Sequence, residues 1–164
     1  MNKTENILIE RIPENVEQLI QMSACSLSSP FQTAALAVAV LCNYEKNADA
    51  TIEMINYLKG PVDLSNLEKQ FISDRLVGKA YVPRSYFKGT SPQNDYSLPE
   101  VLEVEVSDNP YSYDNEGYAV LYLKSSGADS PRQVKLRRKG DKWYLWEILF
   151  LSDIRVPKSD DPWA

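Results

Sequence analysis

Hydrophobic and polar positions change their spacing near the middle of the chain. From Pro13 to Gly78, apolar residues recur at helical spacing, whereas from about residue 80 to 156 they alternate as they do in strands. The pattern predicts an α+β fold in which about four amino-terminal helices pack on a carboxy-terminal antiparallel β-meander of four to five strands. We expect a single domain over residues 1–164, with a helical half at about 13–78 and a sheet half at about 80–156.

One segment of the helical half is apolar on nearly every face. Ser29 and Pro30 form a helix start, Gln32 is placed to complete a capping box, and residues 34–42 are apolar without interruption. Such a helix is predicted to be central and buried all round. Three further helices are predicted, beginning near Pro13, Asn47 and Ser65.

The helix that begins at Ser65 has the clearest start signal. Ser65 and Glu68 have the spacing of a capping box, and Gly78 is expected to end the helix. Its apolar residues are predicted to share one buried face, namely Leu67, Phe71, Ile72 and Leu76.

The sheet half contains four strong strand signals, at residues 101–107, 118–124, 132–139 and 143–151. A Gly140-Asp141 turn joins the last two strands into a hairpin. Strict alternation along the last strand predicts that Trp146 faces the core, in one row with Tyr144, Ile148 and Phe150. Two other segments are predicted as irregular: a frayed lead-in up to Ile9, and an edge strand at Tyr81–Phe87 interrupted by its proline.

Composition narrows the classes of function. A net charge of -5 argues against binding nucleic acid or an anionic membrane through the whole surface. The sequence has no histidine, which excludes Ser/His/Asp and Cys/His catalysis and histidine-based zinc sites. Cys25 and Cys42 are interpreted as small core side chains, with a disulfide between them left open. The amino terminus lacks a signal-peptide core, which predicts a cytoplasmic protein.

Charge is segregated in the sheet half. Residues 95–116 contain seven acidic residues and no basic one, while residues 132–142 contain six basic residues and one acidic one. One interpretation is that the two stretches form cross-strand ion pairs on the solvent face. The other makes Arg132, Lys135 and Arg137 a patch for an anionic ligand or an acidic partner.

Tyrosines accompany these charges and complete the candidate site. Tyrosine and arginine together are typical of recognition surfaces. Our leading hypothesis is a non-catalytic domain that binds a partner protein or a small anionic ligand, without cofactor or metal, through a surface made by Arg84, Tyr86, Tyr111, Tyr113 and the basic strand residues Arg132, Lys135 and Arg137. Two alternatives stay open: an enzyme with a carboxylate and tyrosine pocket between sheet and helices, and a structural subunit that forms a homodimer through an exposed sheet face.

Five sequence blocks resemble a family of bacterial proteins classed as a domain of unknown function: PENVEQL at 13–19, SPFQTAA at 29–35, YVPRSYF at 81–87, SSGADSPR at 125–132 and DPW at 161–163. The resemblance implies a single bacterial cytosolic domain and brings no activity with it. The final three strands also resemble the curved sheet of the nuclear-transport-factor-two-like superfamily, whose members enclose a pocket between sheet and helices. The histidine-aspartate pairs of that superfamily's enzymes have no counterpart in a chain without histidine.

Overall fold

The computed structural model describes residues 2–164 and confirms an α+β fold. Five strands form one antiparallel sheet in the order β1-β2-β3-β4-β5. The strands are β1 (Thr4–Ile9), β2 (Leu102–Ser107), β3 (Tyr118–Leu123), β4 (Arg132–Lys139) and β5 (Lys142–Leu149). The helices are α1 (Val16–Ile20), α2 (Pro30–Leu41), α3 (Ala48–Lys59), α4 (Asn66–Leu76) and α5 (Tyr81–Arg84), with short 3₁₀ turns at Ser23–Ser26, Pro92–Asn94 and Lys158–Asp160.

The α2 helix is the central helix, as predicted. All of its residues except Gln32 are buried, and it contacts all five strands of the sheet. Its alanines lack bulk, so neighbouring backbones can approach closely, and the helix lies across the apolar face of the sheet. We call the sheet face turned toward α2 the inner face and the opposite one the outer face. Within residues 2–164, no helix has both the length and the apolar composition that crossing a bilayer requires.

The predicted capping box of α2 does not form, whereas that of α4 does. The Ser29 hydroxyl accepts a hydrogen bond from the Phe31 N–H, and Gln32 instead accepts hydrogen bonds from the hydroxyls of Ser26 and Ser28. At α4, the Ser65 hydroxyl accepts from the Glu68 N–H, and the Glu68 carboxylate accepts from the Ser65 N–H. The short serine-rich turn before α2 gives Gln32 competing partners that the spacing alone does not reveal.

The prediction of a frayed lead-in up to Ile9 is wrong. Residues Thr4–Ile9 form an edge strand that pairs with β2, with Ile7 opposite Val104. Ile9 is buried, but Leu8 on the outer face is exposed, so the segment buries only one side. A half-buried edge strand whose partner lies far along the chain gives a weak local signal.

The segment Tyr81–Phe87 is also not the predicted edge strand. Its first four residues form α5, and Phe87 alone bridges to Val104 of β2. Pro83 lies in the first turn of this helix, where a backbone N–H has no helical partner to lose. Proline is therefore as compatible with a helix start as with an edge strand.

A β-bulge in β5 overturns the predicted core position of Trp146. Lys135 pairs with Glu147 but Leu136 pairs with Leu145, so Trp146 is an extra residue in β5. A bulge reverses the alternation of side chains along the strand. Leu145 is therefore the deeply buried residue, and Trp146 is half-buried and lies against Tyr118 instead of the core. Ile148 and Phe150 still pack into the core as predicted.

The two cysteines are free thiols and form no disulfide with each other. Burial raises the pKa of the Cys42 thiol to about 12, against the opposing charge of Arg84. Burial likewise raises the pKa of Cys25, which Lys142 offsets only in part. Both side chains are therefore protonated near neutral pH, where the thiolate is the reactive form.

Candidate functional site

The structure distributes the predicted site residues over several places. Lys135 and Arg137 lie on the outer face of β4, but Arg132 does not share that face. The Arg132 guanidinium donates hydrogen bonds to the carbonyls of Ser152 (3.3 Å) and Asp153 (3.0 Å). These hydrogen bonds stabilise the turn after β5. The predicted basic patch on β4 is thus reduced to two residues.

The acidic and basic stretches do not form the expected cross-strand pairs. Strand β3 lies between β2, which belongs to the acidic stretch, and β4, which belongs to the basic one. Lys135 instead pairs with Glu147 on β5, at 3.5 Å between its Nζ and a carboxylate oxygen. Sheet order, which local patterns do not encode, decides which charges meet.

Arg84, Tyr111 and Tyr113 lie apart from the basic strand. Arg84 on α5 is next to Glu45, with 3.8 Å between guanidinium and carboxylate. Tyr111 and Tyr113 lie in the loop between β2 and β3, where the Tyr113 hydroxyl donates a hydrogen bond to Asp108 at 3.2 Å. Burial and the charge of Asp108 raise the pKa of Tyr113 to about 12. None of these three residues lines the cavity to which Arg137 belongs.

Tyr86 is a core residue and not part of a surface. Its side chain is 1% exposed, its ring contacts the Phe150 ring edge-on with centres 5.3 Å apart, and its hydroxyl donates a hydrogen bond to the Phe150 carbonyl. Burial raises the pKa of Tyr86 well above the usual tyrosine value. The hydroxyl thus satisfies a buried carbonyl, which is a structural role.

Replacing Tyr86 with phenylalanine is expected to lower the free energy of unfolding by about 1 to 3 kcal/mol, because it leaves the Phe150 carbonyl buried without a donor. Chemical denaturation of Tyr86→Phe measures this loss, with Tyr111→Phe as the control, since Tyr111 is 74% exposed. Equal stability of the two variants would contradict the role given to the Tyr86 hydroxyl.

The best-defined cluster of cations and aromatic rings lines a cleft at the turn end of the β4–β5 hairpin. This basic cleft has a volume of about 390 Å³ and lies between the hairpin and the turn that follows α3. We define it by its lining residues Lys59, Pro61, Val62, Arg137, Arg138, Lys139, Tyr144 and Trp146. Its size falls within the usual range of small-molecule sites.

Arg137 is held in place by aromatic rings and not by a carboxylate. Its guanidinium carbon lies 4.7 Å from the centre of the Trp146 ring and 5.3 Å from that of Tyr118. The two rings meet edge-on, with centres 5.8 Å apart. Cation–π contacts hold the guanidinium beside the rings and leave its N–H groups available to a planar acceptor. Within residues 2–164, the Arg137 side chain forms neither an ion pair nor a hydrogen bond.

Lys59 lines the cleft with an ammonium group that already has partners in the protein. Its side chain is 7% exposed, and its ammonium donates a hydrogen bond to the Trp146 carbonyl at 3.4 Å and pairs with Glu68 at 3.5 Å. Burial pushes the pKa of Glu68 upward, but the Ser65 N–H and the Lys59 charge outweigh it, so the net pKa is lowered. The only carboxylate paired with a lining cation in the described part of the chain is thus already engaged in the capping box at the start of α4.

Gly60 allows α3 to end against the hairpin. Its backbone has φ +75° and ψ -122°, which a residue with a Cβ rarely adopts. A Cβ at this position would lie 2.5 Å from Cδ1 of Tyr144. The Tyr144 ring therefore packs directly on the glycine backbone, and this contact shapes one wall of the basic cleft.

Sequence reasoning found Arg137 but missed the residues that surround it. Arg138 and Lys139 follow Arg137 directly in the sequence, and this run of basic residues is the signal that could have identified them as part of the site. The alternation along β5 predicts that Trp146 lies in the core, because alternation alone does not reveal a bulge. Lys59 gives no signal, since a lysine in the last turn of a helix is ordinary.

The relationship of this chain to known proteins is shown at the level of a protein family. No curated protein and no solved structure matches the chain. The likeness to the nuclear-transport-factor-two-like superfamily therefore stays a prediction. A family model described as a domain of unknown function, DUF6935, matches residues 11–158. Since the match covers most of the 164 residues, the chain belongs to the DUF6935 family of domains of unknown function.

Proposed function

We propose that this protein is a non-catalytic binding domain and that the basic cleft binds a small anionic ligand. The observation that carries the proposal is the Arg137 guanidinium, which two aromatic rings orient while its N–H groups have no acceptor within residues 2–164. An oriented guanidinium binds a carboxylate or phosphate through two parallel hydrogen bonds at little entropic cost. The proposal includes a bacterial cytosolic setting, which rests on the resemblance of the five sequence blocks.

The charges around Arg137 support the same proposal. Arg138, Lys139 and Lys142 also form no ion pair with any residue of the described chain, although the protein as a whole has a net charge of -5. A group of unpaired cations on an acidic protein raises its own electrostatic energy, which an anionic ligand would relieve. Arg138 contacts a different aromatic ring, that of Trp143, which lies 5.9 Å away and is not part of the cleft lining.

The lining favours binding over catalysis. It consists of the N–H donors of two arginines and two lysines and of aromatic and apolar side chains. Arginine does not exchange protons near neutral pH, so it positions and neutralises an anion but does not act as an acid or base. The alternative of an enzyme with a carboxylate and tyrosine pocket between sheet and helices gains less support. The α2 helix and the inner face pack directly on each other, and the cavity between α4 and β5 has Glu68 and Glu147 in its lining but no tyrosine.

Removing the Arg137 charge is expected to abolish most of the anion binding. We would titrate the protein with phosphate, citrate, benzoate and octanoate by calorimetry and follow the melting temperature in parallel, since a ligand of the folded state raises it. For any anion that binds, Arg137→Gln should weaken affinity by about ten- to a hundredfold, as expected for hydrogen bonds to a charged group worth about 1.5 to 3 kcal/mol.

The matched control is Arg11→Gln. Arg11 lies outside the basic cleft, next to Glu14, so this variant makes the same change of charge away from the lining. It should bind as the wild type does. Absence of binding by every anion in the panel, or equal binding by Arg137→Gln and the wild type, would overturn the proposal.

A further inference from the structure

A second cavity adjoins the basic cleft and is lined mainly by apolar side chains. This apolar groove has a volume of about 260 Å³ and runs between α4 and β5. Its apolar lining includes Leu64, Leu67, Phe71, Ile72 and Ile148. The groove and the basic cleft share Lys59 and Trp146, so the two cavities meet at these side chains.

Two of the groove residues expose more apolar surface than a helix on a core requires. Ile72 and Leu76 of α4 are buried as predicted, but Leu67 is 81% exposed and Phe71 is 36% exposed. The sequence pattern predicted that all four residues share one buried face. The first half of α4 instead is separated from β5 by the apolar groove. Contiguous exposed apolar surface of this kind is typical of interaction sites.

The junction between the cavities is formed by Lys59, whose ammonium group is held by a hydrogen bond and an ion pair, and by Trp146. The Lys59 ammonium is fixed by the Trp146 carbonyl and by Glu68, and it lies 5.9 Å from the centre of the Trp146 ring. Trp146 thereby contributes to both cavities and also holds Arg137. A ligand that spans the junction meets cations on the hairpin side and mainly apolar side chains in the groove. The two carboxylates of the groove, Glu68 and Glu147, are already paired with Lys59 and Lys135.

We propose that the two cavities together bind one free, single-chain amphiphile with an anionic head group, such as a medium-chain carboxylate. The head group binds in the basic cleft at Arg137 and Arg138, and the tail lies in the apolar groove against Leu67 and Phe71. The charge complementarity and the shared residues carry this inference, which rests on the proposed function of the basic cleft and names the class of its ligand.

The test is a chain-length series from acetate through butanoate and hexanoate to octanoate, titrated into the full chain. Complete burial of a methylene is worth about a fourfold gain in affinity, and a half-open groove should give about twofold per added carbon. Octanol, which has the same tail without the charge, should bind at least tenfold more weakly than octanoate.

Variants separate the head-group site from the tail site. Leu67→Ser should leave stability unchanged, since Leu67 is exposed, and should reduce the gain per carbon while preserving the difference between octanoate and octanol. Leu8→Ser, at an exposed position on β1, is the control and should bind as the wild type does. Arg137→Gln should weaken every carboxylate by a similar factor.

Each outcome discriminates between the proposals. Carboxylate binding that depends on Arg137 but not on chain length leaves the proposed function intact and overturns this inference. Binding that grows with chain length but is unaffected by Arg137→Gln overturns both. Failure of all carboxylates to bind overturns this inference, and it overturns the proposed function as well if phosphate also fails to bind. Binding to phosphatidylglycerol vesicles without binding of free octanoate overturns the assignment to a free amphiphile.

Discussion

Leu36→Ala is expected to lower the free energy of unfolding by about 2 to 5 kcal/mol. Leu36 is fully buried in α2, the helix that contacts all five strands. Truncation removes its apolar transfer energy and leaves a cavity that α2 is poorly able to close, because its neighbours pack on it from every side. A loss of this size is a large part of the total stability of a typical domain.

Denaturation by urea, followed by tryptophan fluorescence and circular dichroism, measures this loss. Leu67→Ala is the matched control, because it makes the same substitution in a helix at a position that is exposed. Its stability should stay within about 0.5 kcal/mol of the wild type. Similar losses for Leu36→Ala and Leu67→Ala would contradict the central position of α2.

Gly60→Ala is expected to cost about 2 to 4 kcal/mol of unfolding free energy and to weaken anion binding as well. The backbone conformation of Gly60 is strained for alanine, and the added Cβ overlaps the Tyr144 ring at 2.5 Å. Either the ring or the end of α3 has to move. Since Tyr144 and Lys59 both line the basic cleft, the movement changes the shape of the cleft.

Two comparisons separate backbone strain from the contact with Tyr144. Gly78 also has a positive φ of +73°, but a Cβ there meets nothing within 4 Å, so Gly78→Ala should cost only about 1 to 2 kcal/mol and leave anion binding unchanged. In the Gly60→Ala/Tyr144→Ala double variant the overlap is removed, so the two losses should be less than additive. Additive losses would show that the ring is not responsible.

Local signals were sufficient for the parts of the fold that are stabilised locally. The uniformly apolar segment predicted α2, the Ser65 and Glu68 spacing predicted the start of α4, and the Gly140-Asp141 turn predicted the last hairpin. In each case the residues that decide the structure are neighbours in the sequence. The strand β1 could not be predicted in this way, because its partner β2 lies far along the chain.

The basic cleft was only partly predictable for a related reason. Arg137 stood out within a run of basic residues, but Lys59 reaches it only through the packing of α3 against β5. The bulge at Trp146 turns that ring toward Arg137, and a bulge depends on the pairing of β5 with β4 rather than on the sequence of β5 alone. The exposure of the first half of α4 likewise depends on where the neighbouring elements of the fold end.

The edge position of β1 has a consequence for how the chain is made. During synthesis these six residues leave the ribosome well before β2, which follows only after about ninety more residues have been added. Until then the segment has no sheet to join, and closing so long a loop is entropically costly and slow compared with forming the local β4–β5 hairpin. A strand that is translated long before its partner is thus among the last elements to reach its native neighbours.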